Sequence, residues 1–178
     1  QAIRLDPDYA YAHYNLGIAY GELGRHEEAI ESYKQAIRID PEDADAHFNL
    51  GLAYGKSGRY EEAIESYRQA IRINPDFAGA HNNLGYAYYN LGKYKEAIES
   101  YKQAIRIDPD YAKAHYNLGD AYYDSGKWKE AIESFKQAIR INPDDASAHG
   151  NLGNAYCKLG YYKKAIESYK QVIRIDPD

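Results

Sequence analysis

The residues best suited to chemistry in this sequence are histidines that recur at a fixed spacing. The segment H-x-N-L-G-x-A-Y, in which x varies, occurs five times, and its histidines are His13, His47, His81, His115 and His149. Helices that pack against each other lie roughly 10 Å apart, whereas the ligands of one metal ion lie about 2 Å from it. The spacing therefore predicts five histidines buried in helix packing and no metal site.

A second chemical candidate is the pair formed by the single cysteine, Cys157, and His149. A thiolate–imidazole nucleophile needs both side chains within hydrogen-bond reach. Eight residues along one helix separate these two by about 12 Å. The glycines follow the repeat, and none belongs to a phosphate-binding loop. We therefore predict no enzymatic activity, no catalytic residue and no cofactor.

Composition narrows the class of partner. The net charge is −5, whereas nucleic acids and anionic membranes attract basic surfaces, so we expect neither as a partner. No apolar run approaches the roughly 20 residues of a membrane span. A lone cysteine fits a reducing compartment, and we expect a cytoplasmic location. The start at Gln1 and the lack of methionine indicate a fragment of a longer protein.

The histidines belong to a longer repeat that prolines punctuate. All six prolines lie 34 residues apart, at Pro7, Pro41, Pro75, Pro109, Pro143 and Pro177. Such a period is typical of stacked helical repeats. We predict one solenoid domain over residues 1–178. Residues 1–9 would be the tail of a preceding repeat, followed by repeats at 10–43, 44–77, 78–111, 112–145 and 146–177.

Each repeat reads as two helices. Ala12, Leu16 and Ala19 recur at helical spacing and give the first helix an apolar face. Gly24 follows at the position of a C-terminal glycine. We expect Gly17 to allow close approach of the two helices. We also expect the acidic residue after each proline to cap the next helix; these residues are Asp8, Glu42, Asp76, Asp110 and Asp144.

These residues resemble the tetratricopeptide repeat family over nearly the whole chain. The matching positions of the first repeat are Leu16, Gly17, Tyr20, Ala29, Tyr33, Ala36 and Pro41. The resemblance implies an all-α fold, an α-solenoid in which antiparallel helical hairpins form a right-handed superhelix. It also implies a concave groove, lined by the first helices, that binds peptide segments of other proteins. The histidine of each repeat departs from the family, which often has tryptophan or another aromatic residue there.

Variation between the repeats is concentrated on one stripe of the first helices, whereas the second helices are nearly identical. We predict that this stripe binds a partner protein or peptide. Its candidate residues are Tyr11, Tyr14, Asn15, Ile18, Phe48, Asn49, Leu52, Asn82, Asn83, Tyr86, Tyr89, Lys113, Tyr116, Asn117, Asp120, Tyr123, Asn151 and Asn154.

Asparagines and aromatic residues dominate this stripe. One asparagine per repeat forms a row at Asn15, Asn49, Asn83, Asn117 and Asn151. An amide offers a donor and an acceptor together and suits a peptide backbone. A similar row lines the superhelical domain of the protein O-linked N-acetylglucosamine transferases. The alternative is that these amides bond locally within the repeat. The aromatic residues suit recognition, or else they fill space between helices.

The sequence leaves three functions open. The leading prediction is a protein-interaction scaffold that binds an extended peptide or helix in its groove. The alternatives are a substrate-targeting segment of a larger enzyme, and a consensus-like or designed array without a natural ligand. The first x of the segment is never lysine, so binding of a partner's C-terminal carboxylate is not expected.

The ends of the chain predict weak head-to-tail self-association. At the C-terminal end, Tyr169, Val172 and Ile173 lack a following helix to cover them, and at the N-terminal end the matching apolar residues are Ala2, Ile3 and Leu5. The two surfaces would be complementary, and a contact of this kind does not close on itself.

Overall fold

The structure, a computed structural model, describes residues 7–177. This part of the chain contains ten α-helices and no β-strand. It divides into two compact units, Gln1–Leu91 and Gly92–Asp178, and the division falls in the turn inside the third predicted repeat.

The first unit contains five helices. They are α1 (Pro7–Glu22), α2 (His26–Ile39), α3 (Ala44–Lys56), α4 (Tyr60–Ile73) and α5 (Ala78–Asn90). The helices pair as hairpins, α1 with α2 and α3 with α4, and α2 and α4 each pack on the following helix as well. The core between them includes alanines and the buried residues Ile30, Tyr33, Leu50, Ile64 and Tyr67.

The second unit has the same construction. Its helices are α6 (Tyr94–Ile107), α7 (Ala112–Asp124), α8 (Trp128–Ile141), α9 (Ala146–Lys158) and α10 (Tyr162–Ile175). Here α7 pairs with α8 and α9 with α10, while α6 packs on α7 and α8 on α9. Phe135 is completely buried in a cluster with Ile132, Leu152 and Tyr156. The predicted all-α fold of stacked helical hairpins is confirmed within each unit.

The first helix begins earlier than the repeat pattern predicts. Residues 7–9 belong to α1 rather than to the tail of a preceding repeat. A proline is well tolerated at the start of a helix because the amide it lacks would have no helical acceptor there. Residues 1–6 of the predicted tail, and with them Ala2, Ile3 and Leu5, lie outside the described residues.

The glycine of the Leu-Gly pair allows the close helix approach that the sequence predicts. A Cβ atom at Gly17 would lie 2.6 Å from the Tyr33 ring, and one at Gly119 would lie 2.5 Å from the Phe135 ring. Real Cβ contacts are longer, so no side chain fits here without moving the ring. In the four hairpins that lie within one unit, the ring of the second helix thus occupies the space beside the first helix because the glycine has no side chain there.

The glycine of the turn inside each hairpin has a different role. Gly24 has a φ angle of +71°, and the four equivalent glycines have φ angles between +71° and +77°. This left-handed conformation ends a helix at little cost only for glycine. The turn between α1 and α2 is closed by the backbone N–H of Arg25, which donates to the carbonyl oxygen of Tyr20 at 2.9 Å.

The caps predicted at Glu42 and Asp144 are wrong by one residue, and α5 and α7, where Asp76 and Asp110 were predicted, have no side-chain cap hydrogen bond. Asp43 caps α3, with its carboxylate accepting from the Ala46 N–H at 3.0 Å, and Asp145 caps α9 in the same way. These residues lie two positions after the proline because the turn that the proline starts needs two residues. Glu42, predicted as the cap, instead forms an exposed ion pair with Arg72 at 2.9 Å.

Candidate functional site

Part of the predicted stripe in the first unit borders a cleft of about 120 Å³. Three candidate residues line it, Ile18 on α1 and Asn49 and Leu52 on α3. The remaining lining residues are Gly21, Glu22, His26, Ala29, Tyr33, Ala53 and Lys56. We call the space bounded by these residues the α1–α3 cleft. It lies between two first helices, and the second helix α2 forms its floor.

The walls of the α1–α3 cleft combine apolar and polar groups. Burial raises the pKa of Tyr33 to about 12, and the negative charge of Glu22 acts in the same direction. The phenol therefore stays neutral. Glu22 and Lys56 bring opposite charges to the exposed edge of the cleft. The Nδ1 atom of His26 is buried and, among the described residues, has no hydrogen-bond partner.

His26 is not among the residues predicted for the site, although the repeat contains a signal for it. The equivalent positions of the four later repeats are Tyr60, Tyr94, Trp128 and Tyr162. A histidine is shorter than any of these side chains. The neighbouring Gly21 is also small, and its equivalents in the third and fourth repeats are tyrosines, Tyr89 and Tyr123. Comparison of the repeats position by position would have shown both departures.

Several candidate residues pack inside the hairpin instead of facing a groove. The ring centroids of Tyr14 and Tyr33 are 6.0 Å apart, and those of Tyr116 and Phe135 are 5.9 Å apart. Phe48 packs between two rings, 5.9 Å from Tyr67 and 4.7 Å from Phe77. These residues occupy the first x of H-x-N-L-G-x-A-Y. This position lies over the core ring of the second helix, so the aromatic residues fill space there, the alternative that the sequence had left open.

Asn82 is the candidate that the structure contradicts most directly. It occupies the same first x position, and its side chain is 0% exposed. Its Nδ2 donates to Oδ1 of Asn83 at 3.1 Å. A completely buried side chain cannot contact a peptide on the surface, and the physical reason is the inward direction that this position shares with Tyr14, Phe48 and Tyr116.

At two positions of the asparagine row, the side-chain N–H groups donate hydrogen bonds to other groups of the protein. Asn49 donates from Nδ2 to the Tyr14 hydroxyl and to the Asp45 carbonyl oxygen, both at 3.0 Å. Asn151 donates to the Tyr116 hydroxyl at 3.0 Å and to Oδ1 of Asp120 at 2.8 Å. The bonds to Tyr14, Tyr116 and Asp120 join successive first helices. At Asn49 and Asn151 the local role, which the sequence left as the alternative, is the observed one.

Asp120 is a half-buried carboxylate on α7. Its pKa is raised to about 6, mainly by burial and to a smaller extent by the negative charges of the nearby Asp124 and Asp145. The hydrogen bonds from Asn151 and from the Tyr116 hydroxyl act in the opposite direction and lower it. The net upward shift means that the folded protein disfavours the ionised form. Asp120 is thus the candidate residue whose charge changes closest to neutral pH.

The remaining candidates divide by exposure. Tyr11 is 69% exposed and Tyr86 is 49% exposed. The other exposed candidates are Asn15, Ile18, Lys113 and Asn154. The half-buried candidates include Leu52, Asn83, Tyr89, Asn117 and Tyr123.

The repeated histidines have a structural role that the sequence did not predict. In four repeats the ring Nε2 lies 3.0 Å from the carbonyl oxygen of the preceding proline, as between His47 and Pro41. A carbonyl oxygen only accepts, so Nε2 carries the hydrogen. The bond ties each first helix to the turn before it. Burial was predicted for all five histidines, but only His115 is buried. The rings of His47, His81 and His149 are partly exposed because the turns that they contact are themselves exposed.

Chemical sites of other kinds are not found in the described part of the chain. No group of three or more His, Cys, Asp or Glu side chains within residues 7–177 could hold a metal ion. The Cys157 sulfur lies 3.8 Å from the Tyr169 hydroxyl. None of the described helices has the length and apolar character needed to cross a membrane.

Comparison with known proteins identifies a family along the entire chain. A family model described as TPR repeat matches residues 1–24, 19–58, 56–92, 85–125 and 119–160. A second model, described as tetratricopeptide repeat, matches residues 146–178. The comparison with curated proteins gave no match.

Solved structures similar to this chain include several of the protein MamA. One crystal structure of MamA is 28% identical with a TM-score of 0.86, and the match covers 91% of this chain and 95% of MamA. MamA from Desulfovibrio magneticus RS-1 is 24% identical with a TM-score of 0.89, with 96% of each chain covered. YrrB, described as a TPR protein with an unusual peptide-binding site, is 24% identical with a TM-score of 0.81, covering 99% of this chain and 89% of YrrB. The last two show likeness of fold.

Proposed function

Because the chain belongs to the tetratricopeptide repeat family, we propose that it is a protein-interaction scaffold whose first helices bind an extended peptide of a partner protein. The observation that carries this proposal is the α1–α3 cleft. Its walls include Ile18 and Leu52, which occupy the second x position, where the repeats differ, and Asn49 of the asparagine row. Residues that vary between otherwise near-identical repeats and also border a concavity are suited to reading a partner's side chains.

Fewer polar groups of the asparagines are available to a bound peptide than the row suggests. Both N–H groups of Asn49 donate within the protein. Its carbonyl oxygen is the remaining group, and it suits a backbone N–H of a bound peptide. Exposed aromatic side chains such as Tyr11 and Tyr86 supply apolar contact area at small conformational cost. The peptide would therefore be held by acceptors and rings.

We also propose that the chain has no catalytic activity, no cofactor and no nucleic-acid partner. The support is the acidic net charge of −5, together with side chains that bond to their own repeat or its neighbour. The lone Cys157 supports a cytoplasmic location. A substrate-targeting segment of a larger enzyme would use the same groove, and only the flanking sequence distinguishes it from a separate scaffold.

We also propose weak head-to-tail association between copies. Ile166 on α10 is 54% exposed, whereas Ile132, its equivalent on α8, is 5% exposed under α9. Leu16 on α1 is 43% exposed, whereas Leu50, its equivalent on α3, is 8% exposed. The exposed face of α10 in one copy would therefore contact the exposed face of α1 in another copy. Of the residues predicted for the C-terminal face, Ile173 is exposed, while Tyr169 and Val172 are half-buried.

Selection from a random 12-residue peptide library tests the scaffold function. We expect enriched peptides whose affinity falls at least tenfold in the variant Ile18→Arg, because the new side chain fills the cleft edge. The matched control is Glu31→Arg, an exposed position on α2 away from the cleft, which should leave affinity unchanged. Failure to enrich any sequence, or equal loss in both variants, would contradict the proposal.

Sedimentation velocity between about 10 µM and 1 mM tests the association. We expect the sedimentation coefficient to rise with concentration in the wild type and to stay constant in Ile166→Glu. The control is Glu167→Gln, an exposed neighbour on α10. A wild-type coefficient that does not change with concentration would rule out the contact.

A further inference from the structure

The fourth repeat fills with a side chain of its own the space that the α1–α3 cleft leaves open. Three lining residues of the cleft have equivalents three repeats later, namely Ala131 for Ala29, Phe135 for Tyr33 and Ala155 for Ala53. These equivalents belong to the buried cluster against which Tyr123 packs. Tyr123 is itself the equivalent of Gly21, which lines the cleft. The chain thus shows which kind of side chain this space holds, an aromatic ring.

Gly21 is the reason that the cleft is open. A Cβ atom at Gly21 would meet nothing within 4 Å beyond its own helical turn, whereas one at Gly17 would collide with a core ring. The repeat accepts a large side chain at the Gly21 position, since the third and fourth repeats have Tyr89 and Tyr123 there. The first repeat therefore lacks a ring that its own architecture can accommodate.

The sides of the cleft differ from those of the filled space. The open cleft has apolar side chains, Ile18 on α1 and Leu52 on α3, and Ile18 is 38% exposed. The equivalent residues of the second unit, where Tyr123 occupies the space, are polar, Asp120 and Asn154. Apolar side chains that border an open concavity are typical of a site that a ligand covers. The difference indicates that the cleft receives an apolar surface from outside the chain.

The size of the cleft fits one ring. Its volume is about 120 Å³, and an apolar cavity of about 150 Å³ holds a benzene molecule. The edge of the cleft carries the exposed residues Glu22 and Lys56, so a ring can enter there while its polar substituents stay in solvent. Tyr33 in the lining offers an aromatic contact, and aromatic pairs attract each other beyond the area that they bury.

We propose that the α1–α3 cleft is a pocket for an aromatic side chain, a tyrosine or phenylalanine of a partner peptide. The ring takes the place in the first unit that Tyr123 takes in the second. It lies between Ile18 and Leu52 and covers both from water. The pocket rests on the proposed scaffold function and names the side chain that one position of the peptide presents.

The first test is NMR titration with N-acetyl-tyrosine N-methylamide, a small molecule that carries the ring without a peptide. From its size we expect a Kd on the order of 1 mM. The methyl signals of Ile18, Leu52 and Ala53 should move upfield and saturate, because a ring that faces a methyl group shields its protons. The matching leucine and glutamine derivatives should bind about threefold to tenfold more weakly, since they lack the aromatic contact. Neither should cause the upfield shift.

A variant that fills the cleft from within the protein is the second test. Gly21→Tyr introduces the side chain of the fourth repeat, and it should abolish binding of the tyrosine derivative. Its melting temperature should be at least that of wild type, because the ring buries apolar surface in an open space. The matched control is Asn15→Tyr, which adds the same side chain to the same helix at an exposed position outside the cleft. This control should leave binding unchanged.

Three results would overturn the pocket. They are equal Kd values for the tyrosine and leucine derivatives, unchanged binding in Gly21→Tyr, and a melting temperature of that variant below wild type. A fourth result would assign the cleft to another occupant. If the Ile18 and Leu52 methyl signals move upfield as the protein concentration rises with no derivative present, a tyrosine of a second copy fills the cleft, and the partner peptide is rejected.

Peptides from the library separate the pocket from the scaffold function. If they share an aromatic residue and lose affinity in Gly21→Tyr, both proposals are supported. If they lose affinity in Ile18→Arg but keep it in Gly21→Tyr, the scaffold function stands and only the aromatic pocket is rejected. If the tyrosine derivative binds as expected while no library peptide is enriched, the pocket stands and the scaffold function is rejected.

Discussion

Replacing Asp120 by asparagine should stabilise the protein at neutral pH. The new side chain would have nearly the same shape, and its carbonyl oxygen could still accept from Asn151 and from the Tyr116 hydroxyl. The carboxylate of Asp120 has a pKa of about 6 in the folded protein against an ordinary value of 3.8. The difference of about 2 pH units corresponds to about 3 kcal/mol against the ionised form.

Part of this amount is lost again in the variant. The amide nitrogen that replaces one carboxylate oxygen is half-buried, and burying a polar group that gains no hydrogen-bond partner costs about 1–2 kcal/mol. We therefore expect Asp120→Asn to raise the free energy of unfolding of the second unit by about 1–2 kcal/mol at pH 7.5.

The direction in which the stability difference changes with pH follows from the raised pKa of Asp120. The folded state binds the proton of Asp120 more tightly than the unfolded state does, so the cost of ionisation is absent below about pH 4. It grows as the pH rises to about 6 and is constant above that. The stability difference between Asp120→Asn and wild type should therefore increase between about pH 4 and 6 and then level off.

Urea unfolding followed by circular dichroism at pH 4.5, 6.0 and 7.5 measures this difference. Asp144→Asn is the matched control, since Asp144 is an exposed carboxylate in the same unit, and its effect should stay within about 0.5 kcal/mol. A carbon-13 titration of the Asp120 carboxyl group gives its pKa directly. Lower stability of Asp120→Asn at pH 7.5, or a difference that does not change with pH, would refute the reasoning.

Three further substitutions test the packing and the hydrogen bonds. Gly153→Ala should destabilise α9 by about 1–3 kcal/mol, because the new Cβ would lie 2.7 Å from the half-buried ring of Tyr169. Gly150→Ala on the same helix, with its nearest atom at 3.9 Å, should not destabilise it, and thermal unfolding distinguishes the two. Asp43→Ala should cost about 1 kcal/mol through loss of the cap of α3, and an unchanged urea midpoint would contradict the assignment. Asn151→Ala should lower the free energy of unfolding by about 1–3 kcal/mol because it leaves the half-buried carboxylate of Asp120 with fewer donors. Asn15→Ala, at an exposed position, should change this free energy little. Equal effects of the two substitutions would argue against the structural role of Asn151.

The repeat period made most of the fold predictable. Prolines 34 residues apart set the length of each hairpin, and Leu16, Gly17 and Tyr33 lie at spacings that fit two packed helices. Each of these signals is local, since helix periodicity, a proline stop and a C-terminal glycine depend on neighbours in the chain. Five copies repeat the same information, which explains why the hairpins within each unit agree with the prediction.

The candidate site was less predictable, and the first x position explains why. In sequence Tyr14 and Ile18 both vary between repeats and lie four residues apart, so they appear equivalent. In the structure Tyr14 packs on the ring of Tyr33, whereas Ile18 borders the α1–α3 cleft. A small rotation about the helix axis separates burial from exposure, and helical spacing does not resolve it. The burial of Asn82 has the same origin.

The sequence by itself determined the fold class, the length of the repeat and the helix on which the variable residues lie, because these depend on contacts between near neighbours in the chain. The tertiary structure decided which polar groups have partners. The bonds from Asn49 to Tyr14 and from Asn151 to Tyr116 join residues 35 apart in the chain. The unpaired nitrogen of His26 and the raised pKa of Asp120 likewise depend on burial by helices distant in sequence. Burial is set by the packing of whole helices, and no local pattern of residue types contains it.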